Sequence, residues 1–255
     1  MSLVISLVLY FVSVAIALSP IGEFILRLQT GCNKIKRIDF IEKLDPIFKE
    51  VYSRAKQENQ DLPDDIELFI YNSKYKNAFA IGRKSICITK GMMHSSAEEL
   101  KGVLGHEFAH IANHDTDLIL VVTVGNMIVT GMILAIRLVF KFLELFGFLY
   151  SVLSRSHFGT PTLVISAIAD IIVGFLMWIW TKLGQYLVLA TGRQEEYYAD
   201  EFSYKLGYSN GLCRFLDTHS SRGTKGLFAI LSSTHPSTDD RIARLQSLGS
   251  AYRAS

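Results

Sequence analysis

Charge is what this sequence is short of. Asp, Glu, Lys and Arg make up 20% of its 255 residues, against 49% apolar residues, and a mean hydropathy of +0.27 is too high for an ordinary water-soluble domain of this length. Part of the chain is therefore expected in a bilayer. What charge there is nearly cancels, 26 basic against 24 acidic residues for a net +2, which excludes a global electrostatic pull on nucleic acid. Cysteine is scarce as well. Cys32, Cys87 and Cys213 are odd in number and far apart, without Cys-x-x-Cys spacing or the density of a disulfide-stapled secreted domain; they fit a reducing compartment. Proline is missing between residues 118 and 160, so nothing there forces a helix to break. Internal repeats, low-complexity tracts and long flexible linkers are also lacking.

What the chain has instead is three apolar runs. No charged residue precedes Glu23, and Leu3 to Leu18 is almost unbroken Leu, Val, Ile, Ala and Phe. The uncharged stretch would span about 30 Å as a helix, enough for a hydrocarbon core. Read as a cleaved signal peptide, it lacks the basic n-region. A second run, Leu118 to Ile136, carries only Thr123, Asn126 and Thr130 as polar interruptions. The third, Thr162 to Thr181, holds Asp170 and closes on Trp178 and Trp180, residues suited to the interfacial belt. An ionisable group such as Asp170 within a span faces the bundle interior, with Asn126 as the expected neighbour. Between these two runs, Arg137 to Pro161 reads either as an amphipathic connector at the far interface or as a continuation of the second helix with its charges against a partner. Arg27, Lys34, Lys36 and Arg37 follow the first span without an intervening acid, which argues that this side is cytoplasmic. Three spans then leave residues 23 to 117 and 182 to 255 on one side, as two parts of one domain.

The chemistry sits at the mouth of the second run. Ser96-Ala97-Glu98-Glu99 is a capping box and Leu100, Val103, Leu104 and Phe108 follow at helical spacing, so a helix starts near Ala97. His106 and His110, four apart, lie about 40° apart around that helix and one turn apart along it, close enough to share an ion. With Glu107 they form H-E-x-x-H, in which two neutral imidazoles bind zinc and the glutamate acts as general base. A catalytic zinc needs a third protein ligand. His114 continues the series but lies about 12 Å along the axis from His106, out of reach on a straight helix, and reads as a surface or interface histidine. Glu195 and Glu196, in "TGRQEEYYADEFSYKLG", stand on a helix whose Tyr197, Phe202 and Leu206 form an apolar face; one of the two is the better candidate.

Four stretches, "NAFAIG" (77–82), "GHEFAHIANHD" (105–115), "RQEEYYAD" (193–200) and "THPSTDDRIARL" (234–245), give the chain a resemblance to the HtpX-type membrane-integrated zinc endopeptidases and, more distantly, to the CAAX prenyl-protein peptidases. The resemblance implies that the third zinc ligand is Glu196, that Asp200 supports a ligating histidine, that Asn77 lies on a strand bordering the cleft and binds substrate, and that His235 contacts substrate or the tetrahedral intermediate. Locally, the stretch around His235 also reads as a helix start with Ser237 as N-cap, Asp240 at N3, and Ile242 and Leu245 buried. Arg193 and Arg241 are candidates for contacts with carboxylates near the site. Such proteins usually carry two spans ahead of the catalytic domain. Here there is one, since "IGEFILRLQTG" is too charged and short for a second.

The expected architecture is a mainly α integral membrane protein. A helical, zincin-like metallopeptidase domain carries a small β-sheet from "ELFIY", "NAFAIG" and "SICIT" and about three transmembrane helices. Its parts are an N-terminal span (1–22), a first peptidase segment with the H-E-x-x-H helix (23–117), a transmembrane hairpin with connector (118–181), and a second peptidase segment with the glutamate helix (182–255). The expected activity is zinc-dependent hydrolysis of peptide bonds at the cytoplasmic membrane surface, one zinc per chain. Its partners would be protein or peptide substrates, membrane proteins above all, and the lipid bilayer of a bacterial inner membrane, with membrane protein quality control as the role. Two rival readings are a non-catalytic scaffold keeping the fold and a prenyl-protein peptidase, whose large chamber three spans do not enclose.

Overall fold

The computed structural model describes residues 2–154, 160–190, 192–218 and 237–253. In chain order the elements are α1 (Ser2–Ala17), α2 (Pro20–Thr30), β1 (Asn33–Lys34), α3 (Ile38–Glu58), β2 (Glu67–Tyr71), β3 (Ala78–Ile81) and β4 (Ser85–Thr89). A 3-10 turn at Lys90–His94 follows, then α4 (Ala97–Ala112), α5 (Thr116–Ser154), α6 (Thr160–Ala190), α7 (Gly192–Lys205), α8 (Ser209–Thr218) and α9 (Thr238–Ser247). The protein is mainly helical with one small sheet, as the sequence leads one to expect.

The sheet runs in the order β1-β2-β4-β3. β2 and β4 are parallel, with Phe69 opposite Cys87, while β3 is antiparallel to β4 and forms one edge. β4 is buried throughout, as its run of β-branched residues suggests. β1, two residues paired with Phe69 and Ile70, is too short for its sequence to show an alternation.

One core joins α3, α4, α7, α8, α9 and the sheet, with Phe108 fully buried against Phe48 and Tyr52. Backbones meet directly at its centre. A Cβ on Gly211 would collide with the Glu98 carbonyl, and one on Gly102 with the Leu212 backbone nitrogen, so α8 lies against the back of α4 with no side-chain layer between them. A second core, from Leu26, Phe69, Ile81, Cys87, Leu120 and Val124, ties α2, the sheet and the first turns of α5. Within it Cys32 and Cys87 form a disulfide. This departs from the reading that the cysteines fit a reducing compartment: the two are 55 residues apart in sequence, and only the β1-β2-β4 pairing makes them neighbours.

Among the described residues, two helices are long and apolar enough to cross a membrane, Thr116–Ser154 and Ser166–Gly184. α1 and α2 qualify only jointly, as a pair bent by 71°. α5 runs unbroken for 39 residues, so Arg137 to Ser154 continues the second helix, the reading offered beside that of a connector; residues 155–159 of that stretch lie outside the described ones. Its charges face α6: Asp170 receives Arg137 at 2.7 Å and Lys141 at 2.9 Å. Asn126, the expected neighbour of Asp170, instead lies beside Gly184.

Candidate metal centre

α4 starts where its sequence says. Ser96 Oγ accepts from the Glu99 amide at 3.2 Å, and the Glu99 carboxylate accepts from the Ser96 amide at 2.7 Å. The helix carries His106, Glu107 and His110 into a buried cleft. α7 can lie beside it because Gly105 leaves room for Ser203 and Leu206, and Ser203 Oγ donates to the Gly102 carbonyl at 2.9 Å. That packing buries Glu196 and Asp200, whereas Glu195 stays half-buried.

Three donor atoms converge. His106 Nε2 and His110 Nε2 are 3.1 Å apart, and the Glu196 carboxylate lies 3.4 Å from the first and 3.6 Å from the second. A tetrahedral ion with bonds of 2.0–2.1 Å separates its ligand atoms by about 3.3 Å. The distant faces of both imidazoles are engaged by carboxylates, His106 Nδ1 with Asp200 at 2.9 Å and His110 Nδ1 with Asp115 at 2.8 Å. Nδ1–H donation on each ring leaves both Nε2 atoms as lone pairs aimed at one another and at a carboxylate, an arrangement that repels itself unless a proton or a metal cation lies between them. The donor set therefore fits zinc: two imidazoles, one carboxylate, second carboxylates holding the rings.

The electrostatics agree. Burial pushes the His106 imidazole down, yet its bonds to Asp200 and Glu196 more than offset this and lift its pKa to about 10. His110 is also raised, burial again opposing and Asp115 favouring the cation. A site that pulls protons onto histidine this strongly favours positive charge. Arg241, on α9, grips Asp200 with two bonds of 2.8 and 2.6 Å and reaches Glu196 at 3.2 Å. Burial works against the Asp200 carboxylate, but Arg241 and His106 hold its pKa below the usual range.

Of the residues singled out in the sequence, the structure brings together His106, His110, Glu196, Asp200 and Arg241, with Glu107 buried on the same helix. His114 is left out: it is exposed at φ 59° in the turn between α4 and α5. Asn77 lies just before β3, its carbonyl accepting from the Thr89 amide at 2.9 Å. His235 and the side chain of Arg193 fall outside the described residues. Asp115 was not singled out. The signal that could have found it is its place: α4 ends three residues earlier, and the turn brings the Asp115 amide back to the His110 carbonyl at 3.1 Å.

The sequence model of peptidase family M48 matches residues 42–248, most of the chain and all the residues of this centre. The chain belongs to peptidase family M48. This M48 chain is 29% identical to Protease HtpX of Legionella pneumophila over 212 residues, 71% of this chain and 70% of that protein. To the Protease HtpX homolog of Neisseria meningitidis it is 28% identical over 223 residues, 79% and 72% of the two chains. Among solved structures, Ste24p of S. mikatae aligns with a TM-score of 0.45 at 20% identity, covering 94% of this chain and 56% of that one. The family makes the protein a protease of the metallopeptidase type, and its long apolar helices make it a membrane one.

Proposed function

We propose that this M48 member is a zinc-dependent endopeptidase, with one zinc per chain held by His106, His110 and Glu196. The observation that carries the reading is the convergence of two Nε2 atoms and one carboxylate, each ring being held from behind by Asp115 or Asp200. Zinc bound there supplies Lewis acidity toward the scissile carbonyl and the attacking water. Glu107, next to His106 and not among the convergent donors, takes the proton from that water and returns it to the leaving amine. Asp200 and Asp115 keep the two imidazoles in the Nδ1–H tautomer, and Arg241 holds Asp200 and Glu196 in place. His235 is assigned the stabilisation of the oxyanion, on resemblance alone.

Substrate lies along β3. The strand is a sheet edge packed beside α4, and an extended peptide can add to such an edge through backbone hydrogen bonds, with little sequence preference. Asn77, whose own backbone is committed to Thr89, keeps its side chain to hold the incoming chain. Asn77→Ala is expected to lower kcat/KM about tenfold or more with zinc retained, through one or two lost hydrogen bonds; unchanged kinetics over several peptides would remove Asn77 from the site. Broad preference at a membrane surface suits removal of damaged membrane proteins in a bacterial inner membrane.

The basic stretch Arg27, Lys34, Lys36 and Arg37 supports a catalytic domain facing the cytoplasm. The Cys32–Cys87 disulfide favours a second reading, in which the domain faces an oxidising compartment. Protease protection of the domain in sealed inner-membrane vesicles, in both orientations, separates the two. For the activity itself, metal analysis and casein cleavage by the detergent-purified protein are the test. A chain that binds no zinc, or binds it and cleaves nothing, would instead be a scaffold that keeps the fold.

A further inference from the structure

α2 is amphipathic in the opposite sense to a helix in water. Its two charged side chains point inward. The Glu23 carboxylate is buried and accepts from Ser85 Oγ and from the Arg83 amide at 3.2 Å. The Arg27 guanidinium donates to Ser85 Oγ at 3.0 Å and lies 4.3 Å over the Phe69 ring. The outward face carries Ile21, Phe24 and Leu28, which are 60%, 51% and 64% exposed and fall within about 60° of arc at 100° per residue. A water-facing helix turns its charges out and its apolar stripe in; here the protein takes both charges, beside the buried Leu26, and leaves an apolar stripe outside.

What covers that stripe follows from its connection. α2 begins two residues after α1, whose apolar sequence belongs in lipid, and turns 71° away from it. Gly22 closes the corner, since a Cβ there would collide with the Ala17 carbonyl. A helix leaving a span at that angle runs nearly along the membrane plane, where an apolar face sinks between headgroups and acyl chains. The inner face, meanwhile, holds the turn that ends the edge strand. A Cβ on Gly82 (φ 62°) would meet the Glu23 carboxylate at 2.7 Å. The same turn is held from the other side by α5: Thr116 Oγ1 donates to the Gly82 carbonyl at 2.7 Å, and Arg83 pairs with Asp117 through two bonds of 2.9 and 2.6 Å.

We infer that α2 is an in-plane helix embedded in the lipid interface, and that with Thr116 and Asp117 it fixes the depth of the β3 edge, so that segments emerging from the bilayer meet the cleft in extended form. The depth role rests on the reading of β3 as the substrate edge.

The test uses the full-length protein in phosphatidylcholine–phosphatidylglycerol vesicles. A nitroxide is attached at Phe24→Cys, Leu28→Cys or Lys36→Cys in turn, and its collisions with oxygen and with a water-soluble nickel chelate are compared. Labels at 24 and 28 are expected to favour oxygen at one common shallow depth, and the label at 36 to favour nickel. Nickel access at 24 and 28 equal to that at 36, or shielding from both reagents as under a protein partner, would overturn the placement. For the depth role, Phe24→Glu combined with Leu28→Glu should lower cleavage of a co-reconstituted single-span model protein about tenfold relative to casein. Lipid-exposed labels with an unchanged ratio would overturn that role. Failure of the β3 reading is distinguishable, because it appears as an inert Asn77→Ala variant while the labels remain lipid-exposed.

Discussion

Two clusters of ionised side chains lie among apolar neighbours, and they differ in balance. In the hairpin, Arg137 and Lys141 face Asp170 and Glu144, two cations for two carboxylates. In the cleft, Glu107, Asp115, Glu196 and Asp200 gather around two imidazoles, with Arg241 as the fixed cation among the described residues. Among the described residues the hairpin cluster is balanced by its own pairs. Among the described residues the cleft holds an excess of negative charge and of lone pairs, which a divalent ion or protons on histidine reduce. Chemistry belongs where the balance is left open, and architecture where it is closed.

The largest expected effect strikes the open cluster without touching its donors. Glu107→Gln should keep zinc and fold while peptide hydrolysis falls about a hundredfold or more, the usual contribution of a positioned base; activity within tenfold of the parent in a casein assay would break the assignment. Next, Glu196→Ala should strip the metal as read by elemental analysis, and Glu195→Ala should not, because only Glu196 closes the donor triangle. Equal loss in both, or in neither, would refute that triangle. Asp115→Asn should keep the fold but weaken zinc about ten- to a hundredfold in chelator competition, the usual consequence of removing the carboxylate behind a ligating histidine; unchanged affinity would leave the Asp115 contact purely structural. The smallest effect belongs to the closed cluster. Asp170→Leu leaves Arg137 and Lys141 without their shared carboxylate and should lower stability by about 1 kcal/mol, the scale of polar contacts between membrane helices. Specific activity of the folded fraction should not change, and a stable but inactive variant would blur the contrast between the clusters.

How much of this was readable in advance depended on range. The capping box, the i,i+4 histidines, the three strands of the sheet besides β1 and the Ser237 cap act over a few residues, and the structure has each where the sequence puts it. Glu196 was separable from Glu195 only through resemblance, since helix phase alone left both open. Partners chosen by tertiary approach were not legible: the Cys32–Cys87 pair and the preference of Asp170 for Arg137 and Lys141 over Asn126. Asp115 behind His110 is a local contact whose turn was not read. The same holds for α1 and α2. Composition marks α1 as apolar and α2 as too charged for a span, but the 71° between them comes from Pro20 and Gly22 at a corner that only packing against Ala17 defines.

The glycine contacts between α4 and α8 divide the cleft into a stiff wall and a compliant one. Where Gly102 and Gly211 let two backbones touch, no rotamer can yield and no side chain can be repacked, so α4 and α8 behave as a single slab with His106, Glu107 and His110 fixed to it. The opposite wall is a four-residue edge strand bonded to one neighbour. On the proposed reading of β3 as the substrate edge, differences in substrate girth are expected to be met on that side, and replacing either glycine with alanine would disturb the wall that has no means of giving way.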